Sequence, residues 1–179
     1  MTAIVTGSKV SGDVVGGNKT IINYASQTQI EALTQNYEKE VQAGSQVQGF
    51  IDELTHYKSA RSDIRNLSVK LTEAGYVSLI DNGEELKELV SKLIIKHQNY
   101  RSAQKIITLL LAEAESIFNC EIKPKLTPEM TVADVNKLIR DHLVVRVNEM
   151  LGGNVLEIFN RQINGMVFFL TGNCHLEWR

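Results

Sequence analysis

The sequence is poor in residues that interrupt helices, crosslink chains or stack on bases. It contains two prolines and two cysteines among 179 residues, and aromatic residues make up only 6%. Because proline breaks helix interiors, its scarcity permits long helices along almost the whole chain. Cys120 and Cys174 have no metal-ligand spacing and give no disulfide framework, so we expect neither a metal nor a cofactor.

The sequence also lacks a long hydrophobic run and a large excess of charge of one sign. No apolar run approaches the roughly 20 residues of a membrane-spanning helix, and no basic segment followed by an apolar one opens the chain. We therefore expect a cytoplasmic protein without a membrane partner. A formal net charge of −2 predicts no general affinity for nucleic acid, and the few aromatic residues give little support for base stacking.

Residues 12–20, GDVVGGNKT, look at first like a phosphate-binding loop. In that motif, G-x-x-x-x-G-K-[ST], the lysine directly follows the second glycine. Here Asn18 occupies the place of the lysine, and Lys19 and Thr20 come one residue too late. An extended apolar pattern then follows where the motif requires a helix. The stretch therefore does not predict a nucleotide-binding enzyme.

A tandem repeat of five residues accounts better for these glycines. The units VTGSK, VSGDV and VGGNK run end to end from Val5 to Lys19. Glycine beside Ser, Asp or Asn is typical of turns, and valine suits extended strands. Three units cannot bury a core alone, so we expect several copies to assemble through this leader into a homo-oligomer. The alternative is a Gly-rich leader without regular structure. The predicted oligomerisation residues are Val5, Gly7, Val10, Gly12, Val15 and Gly17.

After the leader, apolar residues recur at helical spacing, which predicts a mainly α protein. We divide the chain into an oligomerisation leader (residues 1–24), a long polar helix or arm (25–60) and a helical domain (61–179). Gly44 predicts a break in the polar helix. Further helices are expected over residues 62–74, 84–95 and 106–118, and from about 127 to 150.

Capping residues predict where two of these helices begin. Residues 81–83, Asp-Asn-Gly, predict a turn before the helix over residues 84–95. Residues 127–128, Thr-Pro, are typical of a helix start. Thr131 with Asp134 three residues later is a second capping signal for the same helix.

The C-terminal sequence contains an aromatic-rich run, residues 166–170, then a turn and a short final stretch, residues 175–178. This pattern predicts a small C-terminal β element. The partner-binding residues predicted in this tail are Cys174, His175 and Trp178.

Cys174 and His175 also allow chemical interpretations of the tail. A nucleophilic cysteine needs a histidine base, for which His142 or His56 is available. A zinc site needs four ligands, and no second Cys/His pair has the spacing. The apolar neighbours of Cys174 favour a packed C-terminus. We expect no enzymatic activity, and a small cysteine-dependent enzyme using Cys174 with a histidine is the alternative.

Five basic residues lie close together in the middle of the sequence. On one continuous helix the first two and the last two fall on nearly opposite sides, which is typical of a solvated surface. A break near Asn99 and Tyr100 would realign them. A nucleic-acid-binding subunit is therefore a second alternative, which predicts a steep salt dependence of binding. The five residues are Lys92, Lys96, His97, Arg101 and Lys105.

Two stretches resemble bacterial conflict-system proteins. The leader SGDVVGGNKTI resembles their Gly-Asp-x-Val-x-Gly-Asp-Lys strings, although Asn18 stands where Asp is usual. The ending INGMVFFLTGNCHLEW is similar to the end of C-terminal domains from three-component systems built around an ABC-type ATPase. The resemblance implies a system that combines this ATPase, an adaptor-like component and an effector in defence against phages or plasmids. Because the sequence has no room for the toxic domain that effectors carry, the resemblance implies either an interaction module without that domain or a dedicated small subunit.

Together these observations predict a non-enzymatic oligomerisation or adaptor module of a bacterial defence system. The Val/Gly repeat would provide self-association. The helices and the tail would recruit a protein partner, either the ABC-type ATPase or the effector of the same system.

Overall fold

The structure is a computed structural model that describes residues 28–59 and 65–179. The predicted β repeat, residues 1–24, lies outside the described residues. Within the described ranges the protein is mainly helical, as predicted, and contains no strand. No helix in these ranges has the length and apolar character needed to cross a membrane.

The helices follow one another along the chain with short connections. The α-helices are α1 (Gln29–Ala43), α2 (Asp52–Lys58), α3 (Leu67–Glu73), α4 (Ile80–Lys96), α5 (Arg101–Ile117), α6 (Val132–Ile139), α7 (Val145–Leu151) and α8 (Asn160–Gly172). A first π turn, Phe118–Ile122, extends α5, and a second π turn, Arg140–Val144, joins α6 to α7. A 3₁₀ turn at Val77–Leu79 precedes α4.

Among the described helices, α4 and α8 pack against each other most extensively. Glycines permit the close approach: a Cβ atom on Gly165 would lie 2.4 Å from the Leu86 carbonyl oxygen, and one on Gly83 would lie 2.8 Å from Phe168 Cδ1. The turn predicted at residues 81–83 is therefore wrong. Helix α4 already begins at Ile80, and Gly83 is a buried contact within it rather than a chain reversal.

Helix α1 begins and ends where its sequence signals lie. The Thr28 side chain accepts the Glu31 N–H, and Glu31 in turn accepts the Thr28 N–H. Gly44 closes the helix in the left-handed conformation, with φ of 62°, so the predicted break is confirmed. Helix α1 packs against α5, and its Glu40 carboxylate accepts hydrogen bonds from the Ser102 N–H and hydroxyl at the start of α5.

Helix α6 begins at the second of its two predicted signals. The Thr131 hydroxyl accepts the Asp134 N–H, and the Asp134 carboxylate accepts the Thr131 N–H. A helix start at residues 127–128 is wrong, because the Met130 N–H bonds the Thr127 carbonyl to close a separate turn. The reciprocal cap satisfies two otherwise unpaired N–H groups and so decides the start.

The predicted C-terminal β element is also wrong. Residues 166–170 lie inside α8, and residues 175–178 form no strand pairing in the described structure. A short run of large apolar residues fits a buried helix as well as a buried strand. The side chains from Met166 to Leu170 are all buried against neighbouring helices, which stabilises the helical conformation.

Candidate interaction surface

A cavity of about 360 Å³ opens between α4, the second π turn and the start of α8. Its floor is apolar and consists of buried side chains from these elements. We call this cavity the amide pocket, because carboxamide side chains form much of its rim. The floor residues are Leu86, Ile139, Val144 and Phe168.

The rim of the amide pocket combines carboxamide groups with two guanidinium groups. Arg161 pairs with Glu85 at 2.7 Å, and Arg140 lies 3.3 Å from Asp141. Both arginines are well exposed, and among the described residues they are the only ionised side chains that line the pocket. The four rim carboxamides belong to Asn82, Asn136, Asn160 and Asn164.

The carboxamide oxygen of Asn164 is the buried polar atom of this rim. Asn164 Oδ1 has no hydrogen-bond partner within the described residues. A buried acceptor without a donor is costly, by about 1–3 kcal/mol. The side chain of Asn164, which lines the pocket, therefore carries an acceptor whose hydrogen bond is not made within the described residues.

The second π turn gives this wall of the pocket its shape. The segment from α6 to α7 is continuous, but at Arg140–Val144 the helix widens to the π form. Single π turns are rare in proteins, and those that do occur are frequently found at functional sites. Here the widened turn contributes the guanidinium of Arg140 to the rim and the side chain of Val144 to the floor.

A strained loop before α8 fixes the edge of the pocket. In residues 152–158, Gly152, Asn154 and Glu157 have positive φ angles of 51°, 44° and 53°. The Asn154 carboxamide donates to the Ile158 carbonyl and accepts the Ile158 N–H, both at 2.9 Å. The left-handed backbone conformation costs free energy in residues other than glycine, so it persists only where the surrounding structure stabilises it. The loop is thus held in one conformation, and the next residue, Phe159, projects from it.

Phe159 is the most exposed of the large apolar side chains in the described structure, at 65%. It directly precedes Asn160 of the rim, and Asn148 Nδ2 of α7 donates to Asn160 Oδ1 at 2.9 Å. Val145, 51% exposed, lies one helical turn before Asn148 on α7. We call the amide pocket together with Phe159 and Val145 the α8 face. Exposed aromatic and arginine side chains around a concave centre are typical of protein interfaces.

The predicted tail residues lie mainly inside the fold. Trp178 is 3% exposed, and its indole N–H donates to the Thr171 hydroxyl at 2.9 Å. Its ring packs among the rings of Tyr76, Phe118 and Phe168. Partner binding through the tail stays a prediction, and for Trp178 it requires the tail to leave this position.

Cys174 and its candidate histidines lie in different surroundings. Cys174 adopts a φ of 61°, and its thiol donates to the Arg65 carbonyl at 3.4 Å. The His175 ring, buried, lies 5.0 Å from the His56 ring, measured between centroids. Both nitrogens of His142 are engaged elsewhere, Nδ1 with Glu121 at 2.9 Å and Nε2 with Lys125 at 2.8 Å. The structure thus groups His56 with the tail and separates His142 into another network.

That second network joins the two π turns. Arg146 bridges Glu121 and Glu113, at 2.9 Å and 3.0 Å. The hydrogen bond from His142 is the main cause of a lowered Glu121 pKa, and the charge of Arg146 adds to it. The network connects α5 to α7 across the surface, and its residues lie too far apart in sequence to form a motif.

The five-residue basic cluster is divided by a helix break. Helix α4 ends at Lys96 and α5 begins at Arg101, so a break of the kind that would realign the cluster lies at residues 97–100. Lys92 pairs with Glu88 at 2.8 Å and Lys96 with Glu157 at 3.0 Å. His97 is buried, and this burial lowers its pKa. Three of the five cluster residues are thereby paired or removed from the surface.

Comparison with known proteins identifies the family of this chain. Residues 66–178 match the family described as C-terminal domain 9 of the ABC-three component (ABC-3C) systems. No curated protein and no solved structure gave a match. The matched segment extends from α3 to the tail and contains the complete amide pocket, and these systems are defence, or conflict, systems. Since the match covers well over half of the sequence, the chain belongs to the family of C-terminal domain 9 of the ABC-3C systems.

Proposed function

We propose that this chain is a non-enzymatic oligomerisation and adaptor module of a bacterial ABC-3C defence system. It recruits a protein partner, the ABC-type ATPase of the same system, through the α8 face. The observation that carries this proposal is the exposed Phe159 beside the amide pocket, on a loop held in a strained conformation.

The construction of the α8 face supports a docking role. Its aromatic anchor stands on a loop whose Asn154 side chain bonds both backbone groups of Ile158. Such an anchor loses little conformational freedom when a partner covers it, which favours binding. Buried aromatic and arginine side chains contribute much of the binding energy in protein interfaces.

Phe159→Ser is expected to weaken binding of the ATPase by about thirtyfold or more, because truncating a central interface aromatic costs about 2 kcal/mol or more. The fold should be retained, since position 159 is the N-cap of α8 and serine is a favourable N-cap residue. Isothermal titration with the purified ATPase measures the affinity, and thermal unfolding of each variant checks the fold.

The matched control is Val77→Ser, which removes a similarly exposed apolar side chain, 59% exposed, from the 3₁₀ turn before α4. This variant should bind the ATPase like the unsubstituted protein. Equal affinities for the Phe159 and Val77 variants would contradict docking through the α8 face.

The Val/Gly repeat is proposed to provide self-association. Deletion of residues 1–24 is expected to reduce the assembly to monomers, because the repeat cannot complete a core within one chain. Light scattering at micromolar protein concentration measures the mass directly. A triple variant with Ser at Val5, Val10 and Val15 should behave like the deletion, since it removes the apolar positions alone. An unchanged mass in both variants, or a monomeric intact chain, would reject this assignment.

A further inference from the structure

The amide pocket has the chemical groups needed to hold a peptide with a negative charge. We propose that it binds an extended, acidic segment of the partner protein, an inference that rests on the proposed function. The carboxamides of the rim would pair with backbone groups of the segment. Arg140 and Arg161 would bind its carboxylate, while the apolar floor would receive a neighbouring side chain.

The carboxamide pairing has a direct counterpart in the loop next to the pocket. There the Asn154 side chain pairs with the N–H and the carbonyl of a single residue, Ile158. A carboxamide can do this because it carries one acceptor and two donors. In the pocket, the buried Asn164 Oδ1 has no donor within the described residues. A backbone N–H of an extended segment supplies that donor.

The charge of the pocket selects an acidic segment. Its two ionised lining groups are both guanidinium groups, and their present partners, Glu85 and Asp141, are surface carboxylates. Exposed ion pairs of this kind contribute little to stability, so a ligand carboxylate replaces them at small cost. Guanidinium binds carboxylate through two parallel hydrogen bonds, which adds geometric selectivity.

The neutral groups of the pocket favour a peptide over a simple anion. Four of its rim side chains are uncharged carboxamides, and the floor is formed by buried apolar side chains. A free phosphate ion would bind the arginines and the carboxamide N–H groups but would leave the apolar floor without a partner. A peptide with one aspartate uses all three kinds of group.

Fluorescence anisotropy of the full chain with two short peptides tests this inference. The probes are fluorescein-labelled, C-amidated Ser-Ala-Asp-Ala-Leu-Ser and the same peptide with Asn in place of Asp. The Asp peptide should bind about tenfold more tightly, since a hydrogen bond from guanidinium to an ionised carboxylate is stronger than one to a neutral carboxamide. Arg161→Gln should reduce this preference to within about twofold, because one guanidinium no longer contributes. Arg146→Gln, which lies outside the pocket, should preserve it.

Three results would overturn the inference. They are equal binding of the two peptides, an unchanged preference in Arg161→Gln, and displacement of the Asp peptide by inorganic phosphate at matched ionic strength. The last result would identify a simple anion site. A failed peptide experiment together with a Phe159-dependent ATPase interaction would reject this inference and leave the proposed function standing. ATPase binding that is insensitive to Phe159→Ser would instead reject the proposed function.

Discussion

Gly165→Ala is expected to destabilise the protein by about 3 kcal/mol, the upper end of ordinary overpacking costs. The added methyl group would lie 2.4 Å from the Leu86 carbonyl oxygen and 2.9 Å from Val90 Cγ2. The nearest atom belongs to the backbone of α4, which cannot move aside as the end of a flexible side chain can. Helices α4 and α8 must therefore separate. Chemical unfolding in urea measures the loss, and the melting temperature should fall by about 6–12 °C for a chain of this size.

Gly153→Ala is the matched control for this prediction. Apart from Gly153 itself and its two chain neighbours, no described residue has an atom within 4 Å of a Cβ built on Gly153, and its backbone is outside the left-handed region. This variant should unfold within about 0.5 kcal/mol of the unsubstituted protein, as is usual for surface positions. If both glycine variants were equally stable, the close packing of α4 on α8 would be contradicted.

Lys70→Met is expected to cost about 3 kcal/mol, because it removes a buried ammonium that donates to two buried carbonyls and pairs with a carboxylate. The Lys70 ammonium is fully buried and donates to the carbonyls of Thr171 and Leu176, at 3.3 Å and 3.1 Å. It also pairs with Glu177 at 2.9 Å. Methionine has a similar length and shape but no donor, so the packing is largely retained while the hydrogen bonds are lost.

The effect of Lys70→Met should be greatest in the tail after α8. Hydrogen exchange of residues 173–178 should become faster in the variant than in the unsubstituted protein, and urea unfolding gives the overall loss. Lys92→Met, which removes the exposed partner of Glu88, should have an effect below about 1 kcal/mol. A tail that exchanges at the same rate in the Lys70 variant would show that this lysine does not anchor it.

The helices could be predicted from the sequence where a local signal determines them. Gly44 ends α1 and the Thr131–Asp134 pair begins α6, since capping is decided by residues within one turn. The predictions at Gly83 and at residues 166–170 were wrong for one reason. A glycine is typical of a turn and a short apolar run is typical of a strand, but here both lie in the contact between α4 and α8. These two helices are distant in sequence, so the local pattern does not reveal their contact.

The α8 face could not be predicted from the sequence. Its rim residues come from α4, α6, the second π turn and α8, and only the packing of these elements brings them together. The π turn adds one residue to a helical turn without changing the apolar pattern that marks a helix. In the sequence, Phe159 is one more apolar residue of the tail. In the structure it is exposed and directly follows the loop with positive φ angles, which no local pattern predicts.

Hydrogen–deuterium exchange of the full chain with and without its ABC-type ATPase tests docking through the α8 face most directly. Exchange in residues 140–145 and 159–164 should become slower when the ATPase is present, because a covered surface exposes its amides less often. Residues 77–79, around the control position, should exchange at an unchanged rate. Protection confined to α1 and α2, or no protection anywhere with the ATPase bound, would show that the ATPase does not dock on the α8 face.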